Sequence, residues 1–181
     1  MEGIEAGFPT GRHARHSRFL IAFSILVLAA LGGCRREAPA SGPGLSGKPE
    51  PVWALNNVQG KTVRSQDFAG RPHMVVFWAS WCGPCHMEAA ELVALRQQFA
   101  KDSFEIIGLS VDEDAAILPQ TIRSWGITYP IVGGALPLFD SLHFDGIPRS
   151  YVVDRKGIVR EEFDGMVERG LLAAAVVRTL R

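Results

Sequence analysis

Apolar positions along this chain fall into three regimes. They form one uncharged run at residues 19–33, thin out among Gly, Pro and Ser at 35–51, and recur in short blocks of changing period from Val52 onward. Blocks at 52–55 and 61–63, joined through Asn56-Asn57-Val58-Gln59-Gly60, predict a small hairpin. The stretch 73–79, which holds Val75-Val76-Phe77-Trp78-Ala79, predicts a buried strand, and the pattern turns helical over 84–100. A strand at 104–111, a helix at 114–125 stopped by Gly126, a short strand at 129–132 and one or two helical turns at 136–142 follow. Strands at 150–154 and 158–163 are joined by Arg155-Lys156-Gly157, and a helix at 167–180 ends the chain. Strands that alternate with helices and finish in a hairpin and a helix predict a three-layer α/β sandwich on a mixed sheet.

Composition narrows the class. With 181 residues, 47% of them hydrophobic and 21% charged, and a formal net charge of zero, the chain has the make-up of one globular domain with extensions, and it carries no basic field for nucleic acid. Arg12, Arg15 and Arg18 precede the apolar run, the order expected of an export signal. The run falls short of the roughly 20 residues a membrane-crossing helix needs, so residues 1–33 are expected to be a signal peptide. It closes in Leu31-Gly32-Gly33-Cys34, which resembles the lipobox of bacterial lipoproteins. That resemblance implies a lipid anchor on Cys34 and a protein held on the periplasmic side of a bacterial membrane; the alternatives are a free cysteine beside an ordinary cleavage site, or a short uncleaved anchor. Residues 34–51 are then the expected tether, and 52–181 the expected folded domain.

Chemistry is concentrated in Trp81-Cys82-Gly83-Pro84-Cys85. Two thiols two residues apart can close a disulfide ring and reopen it. Cys82 falls where the predicted helix begins, and the unpaired amides and partial positive charge of a helix N-terminus stabilise a thiolate, which makes Cys82 the expected nucleophile and Cys85 the resolving thiol. Structural zinc would need about four ligands, yet the only other cysteine is Cys34, far upstream. No metal or cofactor is expected. Glu88 shares a helical stripe with Cys85, Leu92, Leu95 and Phe99, so it is read either as a partly buried carboxylate of raised pKa or as an exposed first-turn acid.

Several separated blocks carry a family likeness: Asp67-Phe68-Ala69-Gly70, Val75 through Cys85, Gly146-Ile147-Pro148, and Tyr151-Val152-Val153-Asp154 followed by Lys156-Gly157. Residues 50–181 thereby resemble the thioredoxin-fold, TlpA/ResA-like thiol-disulfide oxidoreductases. The resemblance implies a cis peptide before Pro148 that faces the active-site disulfide, leaving the Ile147 backbone to bind an extended substrate strand. It also implies that Glu88 exchanges protons with Cys85, and Val76 stands where cytosolic thioredoxins carry a buried aspartate. Trp81 is expected either to shield one side of Cys82 or to be a plain core residue. His86 either stabilises the thiolate or is a solvated helix residue, and Arg149 either selects acidic partners or faces water. The family's partners are disulfide-bearing proteins and a membrane thiol-electron donor of the DsbD or CcdA type, in cytochrome c maturation or oxidase copper-site assembly. A Sco-like copper-delivery module and a thiol peroxidase are the alternatives; the first needs three residues between the cysteines and a supported histidine in place of His143, the second a threonine and proline framework where Ala79-Ser80-Trp81 stands.

Overall fold

A computed structural model describes residues 44–99 and 104–181. The leader, Cys34 and the first part of the expected tether lie outside the described residues. The strands are β1 (Ala54–Asn57), β2 (Thr62–Arg64), β3 (His73–Trp78), β4 (Glu105–Ser110), β5 (Ile131–Gly133), β6 (Arg149–Val153) and β7 (Val159–Asp164). The helices are α1 (Gly83–Gln98), α2 (Leu118–Ser124), α3 (Leu136–Ser141) and α4 (Arg169–Thr179). All strands join one mixed sheet in the order β2-β1-β5-β4-β3-β6-β7, the α/β class expected.

β3 and β4 occupy the centre because every one of their residues is buried, which suits strands covered on both faces. They pair in parallel from His73 with Glu105 to Trp78 with Ser110, while β6 runs antiparallel to β3 on its other side. The crossovers from β3 to β4 and from β4 to β5 step the same way across the sheet, so right-handedness puts α1 and α2 on one face. There Trp125, at the end of α2, tilts against Trp78 at 5.3 Å between ring centres, and α4 packs on α1. The opposite face holds Phe77, which meets Phe139 and Phe144 edge-on at 5.6 and 5.5 Å. Among the described residues no helix is long and apolar enough to cross a membrane.

Two predicted elements are corrected. The helix expected at 114–125 divides into a 3-10 turn, Ala115–Ile117, and α2. Asp114 caps the turn through the Ala116 amide, and Pro119, lacking an N–H, fits only the first turn of a new α-helix. The tether expected to run to Pro51 is also too long, because residues 44–51 belong to the domain. Gly47 N–H donates to the Val159 carbonyl at 2.8 Å, Val159 N–H to Lys48 at 2.9 Å and Glu50 N–H to Gly157 at 2.8 Å, and Leu45 is buried. A Gly/Pro-rich composition reads as coil, yet here it lies along the outer edge of β7 and satisfies part of it.

Candidate active site

β3 delivers the chain into the redox motif, and α1 begins at once. Cys82 takes an extended conformation as the N-cap of α1, and its Sγ accepts the Cys85 N–H at 3.2 Å. Pro84 stands in the first turn, where its missing donor costs nothing. Cys82 and Cys85 form a disulfide, with their Cα atoms 5.2 Å apart, and both are buried. Once the disulfide is reduced, the same amide and the helix end favour a Cys82 thiolate.

The Ile147-Pro148 peptide faces this disulfide and is cis. The Ile147 carbonyl oxygen lies 3.8 Å from Cys82 Sγ, and the Pro148 carbonyl accepts the Gly165 N–H at 2.9 Å. The sheet brings the pair together: Phe77, near the end of β3, is registered with Arg149, at the start of β6.

Glu88 is 1% exposed, three residues beyond Cys85 on α1, so the exposed first-turn alternative is ruled out. Its Oε1 accepts the Val167 N–H at 3.0 Å. Burial pushes its pKa up to about 7, against the lowering effect of that hydrogen bond. Tyr129 is buried near enough to feel this charge, and burial together with the Glu88 carboxylate raises its own pKa. Val76, on β3, is buried and apolar, and of the two α1 carboxylates Glu88 is buried while Glu91 is partly exposed.

Arg149 requires a correction. It does not face water: it is 4% exposed, and its guanidinium donates to Glu162 at 2.9 Å and to Asp164, with Phe144 stacked 4.6 Å away. The β6–β7 hairpin sets Asp164 opposite Arg149 and Glu162 opposite Tyr151, so the charge is neutralised within the fold. Trp81 is not a core residue either, being 71% exposed. It borders a groove of about 730 Å³ that also touches Ser80, Asp112, Asp145 and Ile147. His86 is exposed and stacks on Trp125 at 4.6 Å. His143, with φ of 53°, follows α3 in a turn, and the described residues hold no cluster of three His, Cys, Asp or Glu side chains that could grip a metal.

Asp112 was not legible as a site residue. It is buried just past β4, where its carboxylate accepts the Ser80 N–H at 3.0 Å, the Ser80 hydroxyl at 2.7 Å and the Ser110 hydroxyl at 2.8 Å. It thereby holds the loop that carries Trp81 and Cys82. In the sequence it belongs to the acidic run Asp112-Glu113-Asp114, which looks uniformly solvated.

The model of the AhpC/TSA family matches residues 46–162. The chain belongs to the AhpC/TSA family. The thiol-disulfide oxidoreductase ResA of Bacillus thuringiensis is 25% identical over 120 residues, 66% of this chain and 69% of that protein. The ResA of Bacillus subtilis is 22% identical over 127 residues, 70% of this chain and 71% of its own length. Among solved structures, a thiol:disulfide interchange protein of the thioredoxin family from Chlorobium tepidum superposes with a TM-score of 0.67 and 26% identity, covering 77% of this chain and 100% of its own. This AhpC/TSA-family chain has the thioredoxin-like fold and is a thiol-disulfide oxidoreductase with Cys82 and Cys85 as its redox pair.

Proposed function

We propose that this oxidoreductase works as a reductant of partner-protein disulfides outside the cytoplasm, held to the membrane through a lipidated Cys34. The observation that carries the reading is the Cys82–Cys85 disulfide capping α1 opposite the Ile147-Pro148 edge, with a buried carboxylate one turn behind it. The Gly-Pro dipeptide between the thiols is that of thioredoxin, whose potential is about −270 mV against about −120 mV for the oxidant DsbA, and this favours the reducing direction. The leader and the Leu31-Gly32-Gly33-Cys34 block support the anchor and the periplasmic side of a bacterial membrane.

In the forward reaction the Cys82 thiolate attacks one sulfur of the substrate disulfide. A Cys82–substrate disulfide forms, the substrate bond breaks, and the departing sulfur leaves as a thiolate that takes a proton. Cys85 then gives up its proton and attacks Cys82 Sγ, which closes the Cys82–Cys85 bond and releases the second substrate thiol. Two electrons have passed to the substrate. Glu88, half ionised near neutrality, accepts the Cys85 proton in this second step and returns it when a dithiol donor of the DsbD or CcdA type reopens the enzyme disulfide. Trp81 and the Ile147 backbone are the surfaces that receive the substrate, and apocytochrome c or a copper-site protein of an oxidase is the client.

Insulin reduction with a chemical dithiol as electron source tests the reading. Cys82→Ser and Cys85→Ser are each expected to abolish turnover, whereas undiminished turnover in both refutes a Cys82–Cys85 reductase. Glu88→Gln is expected to slow the resolving step about a hundredfold and to flatten its pH dependence between about pH 6 and 8.

A further inference from the structure

The groove beside Cys82 carries a charge bias that disulfide chemistry alone does not require. Its walls are apolar through Ile117, Leu136, Phe139 and Ile147, while Glu113, Asp114 and Asp145 bring exposed carboxylates to it. Among the described residues, none of the side chains that line it is Lys, Arg or His. Asp112, the fourth carboxylate, is committed to Ser80 and Ser110. Arg149, the cation nearest in sequence to the Ile147-Pro148 edge, is bound to Glu162 and Asp164 and turned away from the groove. The field at the mouth is therefore negative. On the same surface Trp81 and Ile117 leave apolar area open, at 71% and 40% exposure.

We propose that this groove selects its substrate by charge. The occupant is an extended segment of a partner protein in which Lys or Arg residues flank the disulfide-bonded cysteine and an apolar side chain covers Trp81. The inference rests on the reductase reading above and deepens it by naming the substrate class. A mixed disulfide requires the partner's cysteine to reach Cys82, and an extended chain advances about 3.3 Å per residue, so the neighbours of that cysteine must run through the groove. Carboxylates gathered around a cleft with apolar walls concentrate cations there and speed the association of oppositely charged partners. Among the described residues no cation lines the groove, so its carboxylates are complementary to a cation that the partner carries.

Single-turnover kinetics of the pre-reduced protein test this with two disulfide-bridged peptides that differ only in carrying Lys or Glu on either side of the cysteine. The Lys peptide is expected to be reduced about tenfold faster at low ionic strength, with the ratio falling toward one at about 0.5 M salt. The Glu113→Lys/Asp145→Lys variant is expected to reverse the order, and Glu113→Gln/Asp145→Asn to shrink it, with the salt series on the unmodified protein as the measurement that needs no variant. Equal rates for the two peptides, a preference for Glu, or a Lys preference that neither salt nor charge reversal moves would each overturn the proposal and leave the reductase reading standing. Reduction of neither peptide would overturn the reductase reading, and this proposal with it.

Discussion

Glu88 and Arg149 are both ionisable side chains withdrawn from water, and each escapes the cost of a buried lone charge differently. The Arg149 guanidinium is paired with Glu162 and Asp164. Removing one side of such a pair strands the other, so Arg149→Ala is expected to lower stability by about 3 kcal/mol in urea unfolding. Trp81→Ala, at an exposed position, should change stability by less than about 0.5 kcal/mol in the same measurement. Glu88 has no cationic partner among the described residues, and it binds a proton instead. Its pKa rises from 4.5 to about 7 on folding, so between those values the folded state holds more protons than the unfolded chain. Stability from this group is therefore complete below about pH 4.5 and is lost as pH rises through 7, a change on the order of 3 kcal/mol. Urea unfolding at pH 5 and pH 8 checks this: Glu88→Gln should remove that part of the pH dependence. The stripe Cys85, Glu88, Leu92 and Leu95 made Glu88 legible in the sequence, because helical period alone places it on the packed face. The environment of Arg149 is not legible in the sequence because its partners lie across a hairpin, and only the strand pairing sets Asp164 opposite it.

Strand ends and helix starts, rather than strand interiors, separate what the sequence revealed from what it concealed. Val75 to Ala79 could be recognised as a buried strand because no polar residue interrupts it, and Pro84 marks the start of α1. Gly108 in β4 looks like a weak point in a strand but serves close packing: a Cβ there would stand 2.9 Å from Trp78 Nε1 and collide with Ile131. Gly108→Ala is accordingly expected to cost about 1–3 kcal/mol by overpacking, read as a lowered urea midpoint. Asp112, just beyond the same strand, fixes the approach to Cys82 through two serines. Asp112→Ala leaves those donors unmatched, with an expected loss of about 2 kcal/mol and faster hydrogen exchange at the Ser80 amide. Nothing in an acidic run shows which of its members turns inward. That choice is made by Ser110, two residues upstream, and by Ser80, which reaches Asp112 only once β3 and β4 lie side by side.

For the molecule as a whole, the sheet order puts the redox helix and the Ile147-Pro148 edge at the same end of β3, an arrangement that the resemblance to the TlpA/ResA-like family implied and that the residues alone did not. The N-terminal boundary was less legible, since residues 44–51 pair with β7 despite a linker-like composition. A protein beginning at Trp53 should be less stable than one beginning at Gly44 by at least about 2 kcal/mol, having lost the burial of Leu45 and the edge hydrogen bonds. The account depends most on the division of labour between two sulfurs. Its most direct test is a mass-spectrometric map of the mixed disulfide captured from a disulfide-bearing protein. Pre-reduced Cys85→Ser is expected to hold the partner on Cys82, and pre-reduced Cys82→Ser to hold none; capture on Cys85, or no capture by either variant, would contradict the account.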